Sequence, residues 1–387
     1  MEKLTKDIIE LCNNNPANVD WYTLACIYKL PESFIEKHKD DVDWSDMSSE
    51  QKLSEAFIEK YENNLDWDEI SELQKLSEKF IEKHKNEVNW EYISIHQKLS
   101  ESFIEKYKDK LNWNGISYNQ KLSESFIEKY KDKVNWTVIS WKQKFSESFI
   151  EKYKDKLSWE EVSSSQKLSE PFIEKHKKDV NWQWISQDQK LSEKFIEKHR
   201  KKIEWCNASQ FQKLSEPLIE KCKDDVDWWR VSQFQKLSEL FIEKHKDDVN
   251  WAYISQYQIL SEEFIEKHKS RVVWRYIFHY QKLSESFIEK FKDKIVWREV
   301  SRYQKLSEEF IEKYQLNVTW PKISKYQDLS ESFIIKMKKY INFKLLNKNL
   351  ITPEVVNKCY LKINHISDEL LNSGKLSSEA ELYYRLK

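Results

Sequence analysis

Apolar and polar positions along this chain repeat every 23 residues, far longer than a helix or strand period, so a whole supersecondary unit is being copied. The copy from Asn135 to Leu157 shows what the unit contains. Trp136, Ile139 and Gln143 fall at i, i+3 and i+7, one face of a short helix. Phe149, Ile150, Tyr153 and Leu157 fall at i, i+1, i+4 and i+8, the apolar face of a second helix. Asn135 stands where most copies have Asp or Asn (Asp43, Asp66, Asn89, Asn112), the chemistry of an N-cap. Ser146 caps the second helix, and Glu147 sits at its positive end. Pro171 and Pro217 lie in the first turn of that helix, where the missing N–H costs little. Each helix spans about two to three turns, too short to persist alone in water, so stacking of neighbouring copies must stabilise it.

The register is fixed by Trp21, Trp44, Trp67, Trp90, Trp113, Trp136, Trp159, Trp182, Trp205, Trp228, Trp251, Trp274, Trp297 and Trp320, with Phe343 at the next step. No insertion or deletion interrupts it. This predicts an all-α fold: an α-solenoid of about fifteen 23-residue two-helix repeats with terminal caps. Residues 1–20 are expected as an N-terminal cap, 21–343 as the array and 344–387 as two or three capping helices. Leu4 to Leu11 carries the second-helix pattern, but Asn13-Asn14-Asn15-Pro16 lengthens the turn before Trp21. The first full copy has Tyr28 and Pro31 in place of the usual Gln and Ser. The register Trp is expected to be buried.

Residues repeated in every copy are expected to build the stack. Ser140, Ser163 and Ser186, four after the Trp, suit close helix approach with the hydroxyl bonded back to the i−4 carbonyl; Ala25 and Phe278 replace the serine in two copies. The glutamine seven after the Trp, Gln51 through Gln327, reads as a ladder satisfying buried backbone groups. His38, His84, His176, His199, His245 and His268 occupy the site that holds Tyr107, Tyr130 or Tyr153 elsewhere. Stacked helices lie roughly 8–10 Å apart, too far for His176 and His199 to share a zinc ion, so a packed ring with a polar tip is expected. The Glu-Lys pairs, such as Glu128-Lys129, read as solvating charge.

Composition narrows the chemistry. The chain has 65 basic and 66 acidic residues, so no overall charge draws it to nucleic acid or membrane, and 14% aromatic content excludes a disordered polyelectrolyte. With two glycines, Gly115 and Gly374, phosphate-cradling loops and dinucleotide fingerprints are absent. Five scattered cysteines without a CxxC suggest a reduced, intracellular, cytoplasmic protein, and the charged segment Met1 to Leu11 is not a signal peptide. No apolar run approaches membrane-spanning length. No nucleophile–base pair or metal-ligand spacing stands out, so an enzyme is not expected and neither cofactor nor metal is assigned.

Function is therefore sought where the copies differ: one, two, five and six residues after the Trp. From Trp44 through Trp159 these positions hold Asp46, Glu50, Asp68, Glu69, Glu72, Glu91, Glu160 and Glu161 against a single base, Lys142. In the last three Trp copies they hold Arg275, Arg298, Arg302, Lys322 and Lys325 against a single acid, Glu299. Six residues after the Trp, successive copies carry Phe211, Phe234, Tyr257, Tyr280, Tyr303 and Tyr326, widened one turn away by Trp184, Tyr253 and Tyr276. Gln187, Gln210, Gln233 and Gln256 line its side. Earlier copies place Glu50, His96, Asn119, Lys142, Ser165 and Asp188 at the aromatic position, so stacking does not require a ring there. Aromatic residues rimmed by Arg have the composition of protein-binding hot spots, and also of tracks for single-stranded nucleic acid.

The unit W-x-x-I-S-x-x-Q-K-L-S-E-x-F-I-E-K, as in Trp113 to Lys129, resembles short tandem repeats in proteins of mimivirus-like giant viruses and large phages. The resemblance covers residues 21–343 and carries no catalytic residues. It implies a viral protein acting in the host cytoplasm, with a host factor as partner. The expected function is a non-enzymatic binding scaffold for a protein, with single-stranded RNA as the alternative ligand of the same face.

Overall fold

The computed structural model describes residues 2–347, 350 and 352–359. From Trp21 to Tyr326 each copy opens with a seven-residue helix starting on the register Trp, such as Trp136–Lys142 or Trp251–Tyr257, called here the Trp helix. A six-residue helix starting on Glu follows, such as Glu147–Lys152 or Glu262–Lys267, the Glu helix. Both are two turns or less, at the short end of the expectation. The fold is an α-solenoid of tandem two-helix repeats, complete in fourteen copies among the described residues; at Phe343 the register passes into a turn. The chain divides into two compact units, Met1–Gln189 and Lys190–Lys387, and in each the successive Trp helices pack directly on one another.

The caps follow the sequence chemistry. The Asn135 side chain accepts from the Val138 amide, and Ser146 accepts from the Phe149 amide. Pro171 and Pro217 lie in the first turn of their Glu helices. The last copies depart: Val273, Val296 and Thr319 precede their Trp helices without any side-chain cap bond.

Burial corrects the expectation for tryptophan. Only Trp21 and Trp205 are fully buried among the register tryptophans described; the others are half-buried. The apolar residues of this copy with no exposure are Ile139 on the Trp helix and Ile150 on the Glu helix, each 0% accessible. Geometry explains the difference. An indole at the first residue of a two-turn helix sits at the edge of the layer, and its Nε1 donates to a carbonyl five residues earlier. Trp136 bonds Lys131 in this way at 2.8 Å and Trp251 bonds Lys246 at 2.9 Å. The ring packs on Tyr153 or its equivalent, with centroids 4.9 Å apart. Tryptophan thus closes the turn between copies, while isoleucine fills the space inside.

Three polar ladders tie copy to copy within each unit. Gln166 Nε2 donates to the carbonyls of Ser140 and Gln143, both at 2.8 Å, while its Oε1 accepts the Phe145 amide at 3.0 Å. Gln258 does the same with Ser232, Gln235 and Leu237. Each of these glutamines therefore satisfies two carbonyls at the end of the preceding Trp helix and one amide of the extended segment that follows it. The serine of the Trp helix does more than bond back: Ser163 Oγ donates to the Trp159 carbonyl at 2.6 Å and accepts the Asn181 amide of the next copy at 2.9 Å. The first glutamate of each Glu helix forms the third ladder. Glu239 accepts the Ser261 amide at 2.5 Å and the Ser261 hydroxyl at 3.1 Å, fixing the next cap.

The Glu-Lys pairs bond between copies rather than within them. Lys175 meets Glu151 and Lys244 meets Glu220, each at 2.9 Å, and Lys152 meets Glu128. These are exposed contacts worth tenths of a kcal/mol each. Gly115 marks one close approach of neighbouring Trp helices: a Cβ there would lie 2.8 Å from Ile95 Cγ1.

At the N-terminal end the helix Lys6–Asn14 and a 3₁₀ turn, Pro16–Asn18, precede the first Trp helix. Glu2–Lys3 pairs in parallel with Tyr28–Lys29, a short strand pair that the helical reading did not anticipate. It lies where Tyr28 replaces the ladder glutamine. At the other end Pro353–Cys359 is helical and buries Val355 and Val356 against the Glu helix Glu331–Lys336. The further capping helices expected after it lie outside the described residues.

Isoleucine should therefore dominate stability over tryptophan. Ile139→Ala is expected to cost about 2–5 kcal/mol, and Trp136→Ala, half-buried, less than Ile139→Ala despite its larger ring. Urea unfolding of the two variants followed by circular dichroism checks the order.

Candidate partner-binding face

The positions that vary between copies lie on the Trp helix, and in the second unit their side chains form one surface. Phe211, Phe234, Tyr257, Tyr280, Tyr303 and Tyr326 are 51, 46, 48, 47, 38 and 39% accessible in turn. Their helices, Trp205–Phe211 through Trp320–Tyr326, touch neighbour to neighbour, so the six rings line one face. Tyr253 and Tyr276 are half-buried beside it, each beside the ring one turn later, at 5.9 Å from Tyr257 and 6.2 Å from Tyr280. Arg275, Arg298 and Lys325 are exposed; Arg302 and Lys322 are half-buried. Trp184, read with this set, lies in the first unit and is half-buried there.

Toward its C-terminal end the face becomes a continuous stack of flat groups. His279 lies between Tyr280 and Tyr303, with centroids 4.1 and 3.7 Å away. The Arg302 guanidinium then lies 4.8 Å from the Tyr303 ring and 4.9 Å from the Tyr326 ring. Lys322 and Lys325 also stand over Tyr326, at 5.7 and 5.2 Å. A hydrogen bond from Lys325 and the nearby charge of Arg302 hold the Tyr326 phenol below its ordinary pKa. Under the stack Glu299 is buried, 3.0 Å from His279 Nδ1 and 3.6 Å from Arg275 Nε. Gln256 Nε2 donates to the Tyr280 hydroxyl at 3.2 Å, and Gln210 accepts from Arg230 Nε at 3.2 Å, so two of the flanking glutamines brace the surface.

Sequence reading overlooked three members of this face. Trp229, 51% accessible, lies 5.2 Å from Tyr253. Its signal was present as the second indole of Trp228-Trp229, one residue out of register. His279 joins two copies through its ring, and Glu299 beneath it was read only as a stray acid. No single-copy pattern marks a residue whose role is to bridge copies.

In the first unit the equivalent positions are acidic and crowd one another. Burial, then Asp43, Glu50 and Asp20, raises the Asp46 carboxyl; burial, then Asp66, Glu72, Asp68 and Glu50, raises Glu69. Tyr118 and Trp141 break this acidic run, edge to face at 5.5 Å with Lys142 over both rings.

The histidine position is occupied by internal pairing. His176 Nε2 lies 2.6 Å from Glu151 of the preceding copy and Nδ1 lies 3.2 Å from Asp179, while the Trp159 ring stacks on it at 4.8 Å. His245 repeats this with Glu220 and Asp248, and His268 pairs with Glu243. Among the described residues no group of three or more His, Cys, Asp or Glu is placed to hold a metal ion, and no helix is long and apolar enough to cross a membrane. Compared with models of known families, with curated proteins and with solved structures, the chain matches none.

The paired glutamates set an acid limit on stability. Hydrogen bonds from a lysine and a histidine hold Glu151, Glu220 and Glu243 at pKa values of about 2, below an ordinary 4.5. A depressed carboxyl pKa stabilises the folded state above the unfolded value and loses that contribution as pH falls through the folded one. The melting temperature should thus drop between about pH 4.5 and 2. Glu151→Gln, Glu220→Gln and Glu243→Gln together should flatten that part of the profile; an unchanged slope would show that these pairs do not contribute.

Proposed function

We propose that this protein is a non-enzymatic binding scaffold and that the aromatic and basic face of its second unit engages a protein partner. One observation carries the reading: six large rings at equivalent places in six adjoining Trp helices all face solvent, at 38–51% accessibility. Solvent-exposed rings in a contiguous row mark a partner surface, and aromatic residues with arginine dominate binding hot spots. The other recurring rings, Trp and Phe of the repeat, are taken up in packing.

Single-stranded nucleic acid is the second reading, favoured by the bases beside the rings. The stack at the C-terminal end speaks for protein instead. Bases bind such tracks by lying on open aromatic faces. Here the faces of Tyr303 and Tyr326 that look toward the neighbouring copy are covered by His279 and Arg302. The resemblance of the repeat to arrays in giant-virus and phage proteins supports a host factor as partner, met in the host cytoplasm.

Capture from host lysate on the immobilised full chain, with and without nuclease, tests the reading. A retained protein should survive nuclease and be lost from a Tyr257→Ala/Tyr303→Ala variant. Each single replacement should cost more than about 1 kcal/mol of binding but leave stability within about 0.5 kcal/mol. Retention that vanishes with nuclease would assign the face to nucleic acid.

A further inference from the structure

One position of the repeat carries a lysine that stacking leaves unpaired in the second unit, although the first unit's Lys144 at that position donates to the Ser165 carbonyl of the next copy. The residue after each ladder glutamine is lysine in most copies, and in the second unit these include Lys213, Lys236, Lys282 and Lys305. The segment is extended, and burial alternates along it: Gln235 and Leu237 point inward and Lys236 points to solvent. The lysines of the Glu-Lys pairs meet carboxylates of the preceding copy, as Lys244 meets Glu220 and Lys267 meets Glu243. Among the described residues Lys213, Lys236, Lys282 and Lys305 form neither an ion pair nor a ring contact. Stacking does not need a cation there, because Ile259 and Asp328 occupy the same place in other copies, Ile259 at 89% accessibility.

These lysines flank the aromatic row. A groove of about 500 Å³ between two successive copies is lined by Phe211, Lys213, Leu214, Ser215, Phe234 and Lys236. Its walls are two exposed rings and two unpaired ammonium groups, and a buried leucine lies at its base. Such a slot fits an apolar side chain flanked by carboxylates.

Spacing then selects a backbone. Packed helices step by about 8–10 Å. A polyproline II segment advances about 9.3 Å per three-residue turn and returns every third side chain to one face. A β-strand of equal reach turns every third side chain to the opposite face.

We infer that this face takes an extended, acidic segment of its protein partner in polyproline II conformation, with every third side chain returning to the row and a carboxylate opposite each lysine. The inference rests on the reading of the aromatic row as a protein-binding face and names the chemistry of its ligand. The order Lys213, Lys236, Ile259, Lys282, Lys305 adds a register: acid, acid, apolar, acid, acid, each three residues apart. A uniformly charged polyphosphate would find Ile259 and Asp328 interrupting its track, whereas a peptide can match both.

The test uses the full chain and a displayed library of random peptides of about 15 residues, long enough to reach across five copies as polyproline II. Selected peptides should carry Asp or Glu at three-residue spacing with an apolar residue at the central step. Their binding should weaken about tenfold or more in a variant with Gln at Lys213, Lys236, Lys282 and Lys305, whose melting should match the parent because these side chains hold nothing. Peptides that bind this variant as well as the parent, but are lost on Tyr257→Ala/Tyr303→Ala, would overturn the lysine assignment and leave the protein-binding face standing. No enriched peptide, together with tight binding of oligouridylate, would overturn both.

Discussion

The structure depends on a buried glutamine that no copy can satisfy alone. Gln235 lies in the interior with its amide spent on the Ser209 and Gln212 carbonyls and its oxygen on the Leu214 amide, all in the copy before it. Removing such a side chain leaves three backbone groups buried without partners, each worth about 1–3 kcal/mol. A helix of seven residues has more unsatisfied terminal groups than internal bonds, so it exists only where a neighbour supplies the missing partners. The serine and glutamate ladders extend the same logic to the next cap, and a shift of register is disfavoured because three sets of bonds span the junctions within each unit, two where Ala25 and Phe278 replace the serine.

That constraint also frees the rest of the Trp helix. Isoleucine, serine and glutamine fill the inner face, so the positions one, two, five and six after the Trp vary between copies and are drawn into packing only in particular ones, as at Gly115 and Glu299. In one unit they became acidic, with carboxyls at Asp46 and Glu69 pushed up by burial and by one another. In the other they became a row of rings, from Phe211 to Tyr326, closing in a stack of Tyr280, His279, Tyr303 and Arg302. A repeat protein separates in this way what holds the chain together from what meets a partner.

Much of this was legible in the sequence because periodicity repeats each signal fourteen times. The helices, both caps, the glutamine ladder and the exposure of the six rings could be read from spacing and from which residues tolerate replacement. Burial of tryptophan was misjudged, since residue type suggests a core while the first position of a two-turn helix places the ring at an edge. The second bond of Ser163, the pairing of Lys175 with Glu151 and the unpartnered state of Lys236 involve residues some 18 to 24 positions apart, or the lack of any such partner. Helical period says nothing about contacts between copies, so these emerged only in three dimensions. His279 escaped because it is the one histidine at its position, and Glu299 was visible only as a lone acid among bases.

Native-state amide exchange tests the central dependence most directly. The amides of Leu214, Leu237 and Leu260 lie outside any helix and are bonded only to a glutamine of the following copy. They should exchange as slowly as the helical amides around them, and Gln258→Leu should release Leu237 and destabilise the copies on both sides of it. Exchange of these leucine amides at the rate of open loops, or protection of Leu237 unchanged by Gln258→Leu, would contradict the account.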